Sequence, residues 1–298
     1  EKATGCTVNV KTYGTSDEAV QLMQAGGYDV ISASGDASLR LIYGGDLQPV
    51  NLDLIPNYVD VFDNLKDRPW NTVDGKNYGV PHGRGANVLQ YTIGKVNPAP
   101  TSWSVVWEPN SPAKGKVTAY DSAIYIADAA VYLMATKPEL GITDPYALDQ
   151  TQFDAAMELL AQQKPLVAEY WADYTKYIGA VQSGSITVGT SWQVIANVLN
   201  GEKETVGAVK PVEGATGWSD TWMISSKTEA IDCAYKWLNH IITPNVNAQA
   251  AEYFGDYVLW FKQEGKESEY AKTKIWSSIP AVKNGHIIEI PAKYAGLF

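Results

Sequence analysis

Tyr28-Asp-Val-Ile-Ser-Ala-Ser-Gly-Asp-Ala-Ser38 decides the fold. Tyr28–Ser32 reads as a short buried strand, and Ala33 to Ser38 supply a polar turn into a helix that starts near Ala37. Upstream, Gly14-Thr-Ser-Asp-Glu-Ala-Val-Gln-Leu-Met23 reads as a helix. Ser16 is its expected N-cap, acidic residues follow in the first turn where the helix dipole favours them, and Gly26-Gly27 stops it. Thr7–Lys11 alternates and is β-branched, as a strand does. Strand, helix and strand in succession imply an α/β fold with a parallel sheet. Ligands collect at the carboxyl ends of strands in open α/β sheets. Ser34 and Asp36 are therefore candidate contacts, although each is equally well explained as a helix cap or turn residue.

The same alternation recurs downstream. Pro49 to Trp70 is mostly loop with short helical pieces, and Gly75–Tyr91 is a turn followed by extended chain. Its glycines at 79, 83 and 85 do not make a phosphate-binding fingerprint. His82 and Arg84 on this stretch read as surface or hinge residues within reach of a cleft. Asn97-Pro-Ala-Pro-Thr-Ser-Trp103 begins a new unit. Gly115–Tyr120 is a strand ending at Asp121-Ser122, followed by a helix from about Tyr125 to Thr136. Asp121 thus sits at a strand-to-helix junction, as Asp36 does; its commoner use is as an N-cap. Helices are expected at Asp149–Gln163 (Phe153, Met157 and Leu160 forming its core stripe), Tyr174–Gln182, Gln193–Leu199, Glu229–Ile242 and Asn245–Phe254. Ser185–Gly189 is a strand leading to Trp192, and Val206–Pro211 is another.

Glu213-Gly-Ala-Thr-Gly-Trp-Ser-Asp-Thr-Trp-Met-Ile224 places Trp218 and Trp222 around Asp220, where a glycine-loosened segment becomes a strand. A carboxylate among aromatic faces suits an organic cation, because the carboxylate supplies charge and the ring quadrupoles attract ammonium groups and cover methylenes. Tryptophans are also ordinary core residues, so this stretch needs support from the rest of the chain.

Composition narrows the function classes. The 298 residues suffice for two domains. Ten Trp and eighteen Tyr stand against five Phe, a bias toward aromatics with a polar handle. The net charge of −10, with no basic cluster, argues against nucleic acid and anionic membranes and is compatible with cationic ligands. Cys6 and Cys233 lack zinc-site spacing; one long-range disulfide in an exported protein and two separate buried thiols fit equally. No apolar run approaches the ~18 residues of a membrane span. The opening Glu-Lys-Ala-Thr-Gly-Cys reads like the end of a helix with residues missing ahead of it, and no signal peptide is seen. No nucleophile elbow, metal cluster or phosphate loop appears, and His82, His240 and His286 lack metal spacing. No cofactor is expected, and a carboxylate-based enzyme ranks last among the readings.

Six stretches carry a resemblance: Tyr28-Asp-Val-Ile-Ser-Ala-Ser34, Tyr78-Gly-Val-Pro81, Val188-Gly-Thr-Ser-Trp192, Pro211-Val-Glu-Gly214, Trp218-Ser-Asp220 and Ala234-Tyr-Lys-Trp237. In this order, over residues 1 to about 254, the chain resembles the family 1 extracellular solute-binding proteins of ABC importers, spermidine/putrescine-binding branch. The resemblance implies two α/β lobes of mostly parallel sheet flanked by helices, a type II-like periplasmic binding fold closing on ligand about a hinge. Lobe 1 would hold residues 1–88 and 221–298, and lobe 2 residues 89–220. It further implies that Trp192 and Trp218 sandwich the ligand's methylenes, that Asp220 binds an ammonium with Asp121 as a second acidic contact, and that Ser34 is a polar contact. Asp36 stands where the family has a cleft Tyr, Ile124 where it has a further Glu, and the family's first strand is absent. Both cysteines fall in the first lobe by the family pattern.

The implied partners are a polyamine such as putrescine or spermidine, captured in the interlobe cleft, and an ABC permease. The protein would act as a periplasmic or extracellular monomer, with a lipid anchor compatible. Arg84 opens an alternative, a carboxylate partner and so an ω-amino acid or other zwitterion. The tail departs: Trp276-Ser-Ser-Ile-Pro-Ala-Val-Lys-Asn-Gly-His-Ile-Ile-Glu289 resembles the C-terminal region of iron-siderophore binding proteins. This suggests a recombined or engineered chimera, and with it the further alternative of a scaffold that binds nothing. In the tail, Gly255–Phe261 and Gly285–Pro291 read as strands and Ser268–Trp276 as a helix.

Overall fold

The computed structural model describes residues 4–201, 203–244, 246–247, 258–262 and 287–291. In chain order the elements are α1 (Ser16–Ala25), β1 (Val30–Ala33), α2 (Gly35–Tyr43), β2 (Leu47–Gln48), β3 (Thr72–Val73), β4 (Lys76–Asn77), β5 (Gly79–Thr92), α3 (Ser104–Trp107), β6 (Val117–Tyr120) and α4 (Tyr125–Thr136). They continue as α5 (Gln150–Gln163), β7 (Val167–Trp171), α6 (Tyr174–Ser183), β8 (Val188–Trp192), α7 (Gln193–Asn200), β9 (Val206–Val209), β10 (Gly217–Ser225), α8 (Ile231–Ile241), β11 (Val258–Lys262) and β12 (Ile287–Pro291). Two compact units result, one of Glu1–Arg84 with Trp218–Phe298, the other of Gly85–Gly217. Strand β5 carries the chain out of the first unit and β10 brings it back. Trp218, Ser219 and Asp220 consequently belong to the first unit rather than to residues 89–220, because β10 is already under way at Gly217.

In the first unit β10 lies between β1 and the opening residues of β5. Its pairing with β1 is antiparallel, Ser32 opposite Trp222 and Ala33 opposite Thr221; β2 pairs antiparallel through Leu47 and Gln48. The parallel pairing expected here from the first strand, helix and strand is replaced by antiparallel pairs, since the strand beside β1 is the returning crossing strand. Thr7–Lys11 forms no strand: it has no face to bury, and Val10 is 79% exposed. α1 is capped one residue earlier than expected, by Thr15, whose Oγ1 accepts from the Glu18 N–H. One face of the sheet is covered by α1 and α2, which pack Val20, Met23 and Leu41 against Ile31, Ala33 and Met223. Val80 and Ile224 pack with Ala234 and Leu238 of α8 in a separate core. Burying these side chains supplies the main stabilisation of each element. Gly79 is needed where β5 meets β10, since a Cβ there would lie 2.1 Å from the Trp222 carbonyl oxygen. Cys6 and Cys233 are bridged, with Cα atoms 5.8 Å apart, which fastens the N-terminal segment to α8.

In the second unit β5 pairs antiparallel with β8 and β9, Asn87 opposite Trp192. β6 runs parallel to β7 and β8. Its core contains the fully buried Trp103, Trp107, Trp171 and Tyr177. α5 starts on a capping box in which Asp149 accepts from the Gln152 N–H and Gln152 answers to the Asp149 N–H. Its buried stripe is Ala156, Leu159 and Gln163; of the expected Phe153, Met157 and Leu160, Leu160 packs half-buried against this core and the other two do not. Small Ala156 permits close packing, and Gln163 satisfies the Val106 carbonyl and Tyr125 hydroxyl. Phe153 and Met157 are left 39% and 42% exposed.

β11 and β12 form a parallel pair, Val258 opposite Ile287. The expected helix at 268–276 lies outside the described residues, as do most of 245–254, so the suggested chimeric tail stays a sequence reading.

Candidate functional site

Alternation along β10 builds the site in the first unit. Trp218, Asp220 and Trp222 are half-buried, while Ser219, Thr221 and Met223, which alternate with them, are buried. Ser219 Oγ donates to the Gly83 carbonyl at 3.0 Å, fixing β10 on β5 beside Arg84. Continuing the β1–β10 register by one residue sets Ser34 beside Asp220. There β1 ends and α2 begins at Gly35, two residues earlier than expected, with Asp36 in its first turn. Ser34 Oγ donates to Asp36 Oδ1 at 2.7 Å instead of capping the helix.

These residues act on one another. Loss of hydration raises the Asp220 pKa, the charge of Asp36 raises it further, and a hydrogen bond from the Trp218 side chain opposes the rise. The result is a carboxyl pushed up to about 6. Ser34, Asp36, Trp218 and Asp220 are thus brought together, with an electrostatic tension that an added cation relieves. Arg84 follows on β5, its guanidinium pKa lowered by burial.

Beneath this row the side chains serve packing. Trp222 meets Trp237 edge-on, with ring centroids 5.2 Å apart, and lies 5.7 Å from the His82 ring. It therefore belongs to the support of the site rather than forming a second wall around Asp220. His82 is likewise no surface residue: Nε2 is 2.7 Å from Ser32 Oγ, and burial drives its pKa down to about 4, so the ring is neutral at neutral pH.

In the second unit the Trp192 indole packs edge-on against Trp171 and Tyr120, at 4.8 and 5.4 Å between centroids. Its Nε1 donates to Asn87 Oδ1 at 3.1 Å. Asn87 Nδ2 in turn donates to both oxygens of Asp128, at 3.1 and 2.9 Å, and Thr216 Oγ1 donates to Asp128 Oδ1 at 2.8 Å. Asp128 is 3% exposed. Desolvation pushes its pKa up to about 7 against the hydrogen bonds of Asn87 and Thr216. Sequence reading passed over this residue. The available signal was a lone acid in the otherwise apolar run of α4. Asp121 is exposed just beyond β6, its N–H donating to the Trp171 carbonyl. It helps to raise the Tyr170 phenol pKa, chiefly set by desolvation. Among the described residues no three His, Cys, Asp or Glu side chains are grouped to hold a metal, and no helix is long and apolar enough to cross a membrane.

The family model for bacterial extracellular solute-binding proteins matches residues 1–259. The chain belongs to this family. Among its relatives is the spermidine/putrescine-binding periplasmic protein of Escherichia coli K12, to which this solute-binding protein is 24% identical over 260 residues, covering 85% of this chain and 70% of the relative. In fold it is similar to the spermidine/putrescine ABC transporter substrate-binding protein of Streptococcus pneumoniae, with a TM-score of 0.67 at 18% identity, covering 99% of this chain and 89% of that one. It is also similar to the Atu4243 GABA receptor, with a TM-score of 0.62 at 19% identity, covering 97% and 83%. The fold is the two-lobe α/β fold of periplasmic binding proteins.

Proposed function

We propose that this solute-binding protein captures a small organic cation of the polyamine class, such as putrescine or spermidine, and delivers it to an ABC permease. The observation that carries the reading is the pair of carboxylates in the first unit. Asp220 is held partly desolvated on β10 with the charge of Asp36 pressing on it. An ammonium placed between them removes the repulsion and replaces lost hydration, while the Trp218 face covers adjacent methylenes. The names of the Escherichia coli and Streptococcus pneumoniae proteins support the same class. In this reading Trp192 and Asp121 of the second unit are further ligand contacts, the protein works outside the cytoplasmic membrane as a monomer, and it catalyses no reaction.

Arg84 supports a second reading. A half-buried guanidinium two residues along β5 from His82 has the fork geometry that suits a carboxylate, which makes the ligand a zwitterion of the γ-aminobutyrate type, the ligand that the GABA receptor's name gives to that protein.

Calorimetric titration with putrescine, spermidine and γ-aminobutyrate separates the two. Saturable diamine binding that survives Arg84→Ala and weakens roughly 30- to 150-fold in Asp220→Asn, as expected for loss of a charge-assisted bond worth about 2–3 kcal/mol, supports the polyamine reading. Binding of γ-aminobutyrate alone, lost in Arg84→Ala, moves the assignment to the zwitterion. A folded protein that binds none of the three overturns both and leaves the scaffold alternative.

A further inference from the structure

The second unit holds a buried carboxylate that is wired to one of the expected ligand tryptophans. The path runs from the Trp192 indole N–H to the Asn87 side-chain carbonyl, and from the Asn87 amide nitrogen to both oxygens of Asp128. Thr216 adds a hydroxyl donor to the same carboxylate. Asn87 and Thr216 are also joined by their backbones, the Asn87 N–H donating to the Thr216 carbonyl at 3.0 Å. Asp128 therefore ties together the second-unit parts of both crossing segments and the strand end that carries Trp192.

The polarity of this path favours an ionised Asp128. An ionised carboxylate only accepts, so it draws the NH2 end of the Asn87 amide and leaves the carbonyl end for the indole, which only donates. A proton on Asp128 Oδ2 would face the Asn87 NH2, donor against donor. Flipping the amide to accept that proton would turn its NH2 toward the indole N–H, again donor against donor. A proton on Oδ1 instead turns to the Thr216 hydroxyl oxygen and leaves Oδ2 to accept from Asn87. The tether then loses its charged acceptor and one of its two contacts, so Asn87 is held most firmly when Asp128 is ionised.

We propose that Asp128 is a positioning residue for ligand capture: acting through Asn87, its ionised carboxylate fixes the orientation of the Trp192 indole, and protonation of Asp128 loosens that hold. This rests on the reading that Trp192 contacts the ligand. Two other titratable groups act electrostatically with Asp128, the phenols of Tyr125 and Tyr146. Both have raised pKa values, that of Tyr146 to about 12, so neither changes charge near neutrality. Protonation of Asp128 is opposed by the hydrogen bonds from Asn87 and Thr216 and favoured by its burial, which places the change near pH 7.

The indole N–H resonances of the intact protein, labelled with nitrogen-15, test this directly, with Trp192 assigned through Trp192→Phe. The expected result is a single-proton titration of the Trp192 N–H between about pH 6 and 8, absent in Asp128→Asn. Putrescine affinity should fall about tenfold from pH 8 to pH 6 in addition to any change seen in Asp128→Asn. Should Asp128→Asn fail to fold, Thr216→Val serves instead. It removes one donor to the carboxylate and should move the Trp192 midpoint to higher pH. A Trp192 N–H that does not shift with pH, or that shifts identically in both variants, overturns the proposal. If the resonance titrates as stated and no polyamine binds, the positioning link stands and the polyamine reading falls.

Discussion

Asp36 presses its charge on Asp220 from the first turn of α2, and Ser34, the last residue before that helix, holds Asp36 by a 2.7 Å hydrogen bond. Under the proposed function, capture of a cation at this pair should be coupled to a proton. With the Asp220 pKa at about 6, about half the carboxyls are protonated at pH 6, and each must ionise to take an ammonium. Measured in Asp128→Asn, so that Asp128 adds nothing, putrescine binding should release from Asp220 about half a proton at pH 6 and about a tenth of one at pH 7. Calorimetry in two buffers of different ionisation enthalpy reads the difference. Asp36→Asn should lower the Asp220 pKa and shrink the release at pH 6; an unchanged release would show that Asp36 does not act on Asp220.

His82 should make the folded protein acid-sensitive. Its pKa is about 4 when folded against 6.5 as a model value. Below pH 6.5 the unfolded chain takes up the proton more readily, so stability falls as pH drops toward 4 and changes no further beneath that. The loss is roughly 2–3 kcal/mol for a ring with this burial. Chemical denaturation at pH 7.5 and 4.5 measures it. In His82→Gln, which keeps a hydrogen-bonding group near Ser32, the pH dependence from this source should disappear.

Reduction of Cys6–Cys233 should destabilise the protein. The bridge spans 227 residues, and in the chain-entropy account a loop of that size is worth about 5 kcal/mol. The unfolding midpoint in reductant and that of the Cys6→Ser/Cys233→Ser double variant should agree with one another and fall well below that of the oxidised protein.

Gly79→Ala should cost about 2–3 kcal/mol through overpacking, because the new methyl would collide with the Trp222 carbonyl oxygen and the Met223 side chain. Thermal unfolding measures the loss. A neutral result would mean that β5 and β10 can separate locally at little cost.

Much of the local structure was legible from residues alone. α4 matches its expected bounds, and the Asp149 cap of α5 is visible in the Asp-x-x-Gln spacing. Strand direction was not, because β1 pairs with a strand nearly two hundred residues away whose arrival no local pattern announces. The inward face of α5 was misjudged because large apolar residues outweighed Ala156, although packing against α4 rewards the small side chain. At the candidate site, Ser34, Asp36, Trp218 and Asp220 were singled out by strand-end logic, by the carboxylate among aromatic rings and by resemblance. Asp128 escaped because its importance lies in partners from β5 and the segment before β10. Those partners become neighbours only in the folded unit.

The bridge from Cys6 to Cys233 has a further consequence for how the molecule withstands damage. It closes a covalent ring that contains every residue of the second unit, 85–217. A protease that severs one exposed loop there produces two polypeptides that cannot diffuse apart. The nicked protein keeps all its strands in reach of their partners and can stay in service, and it would betray the cut only as two bands on a reducing gel.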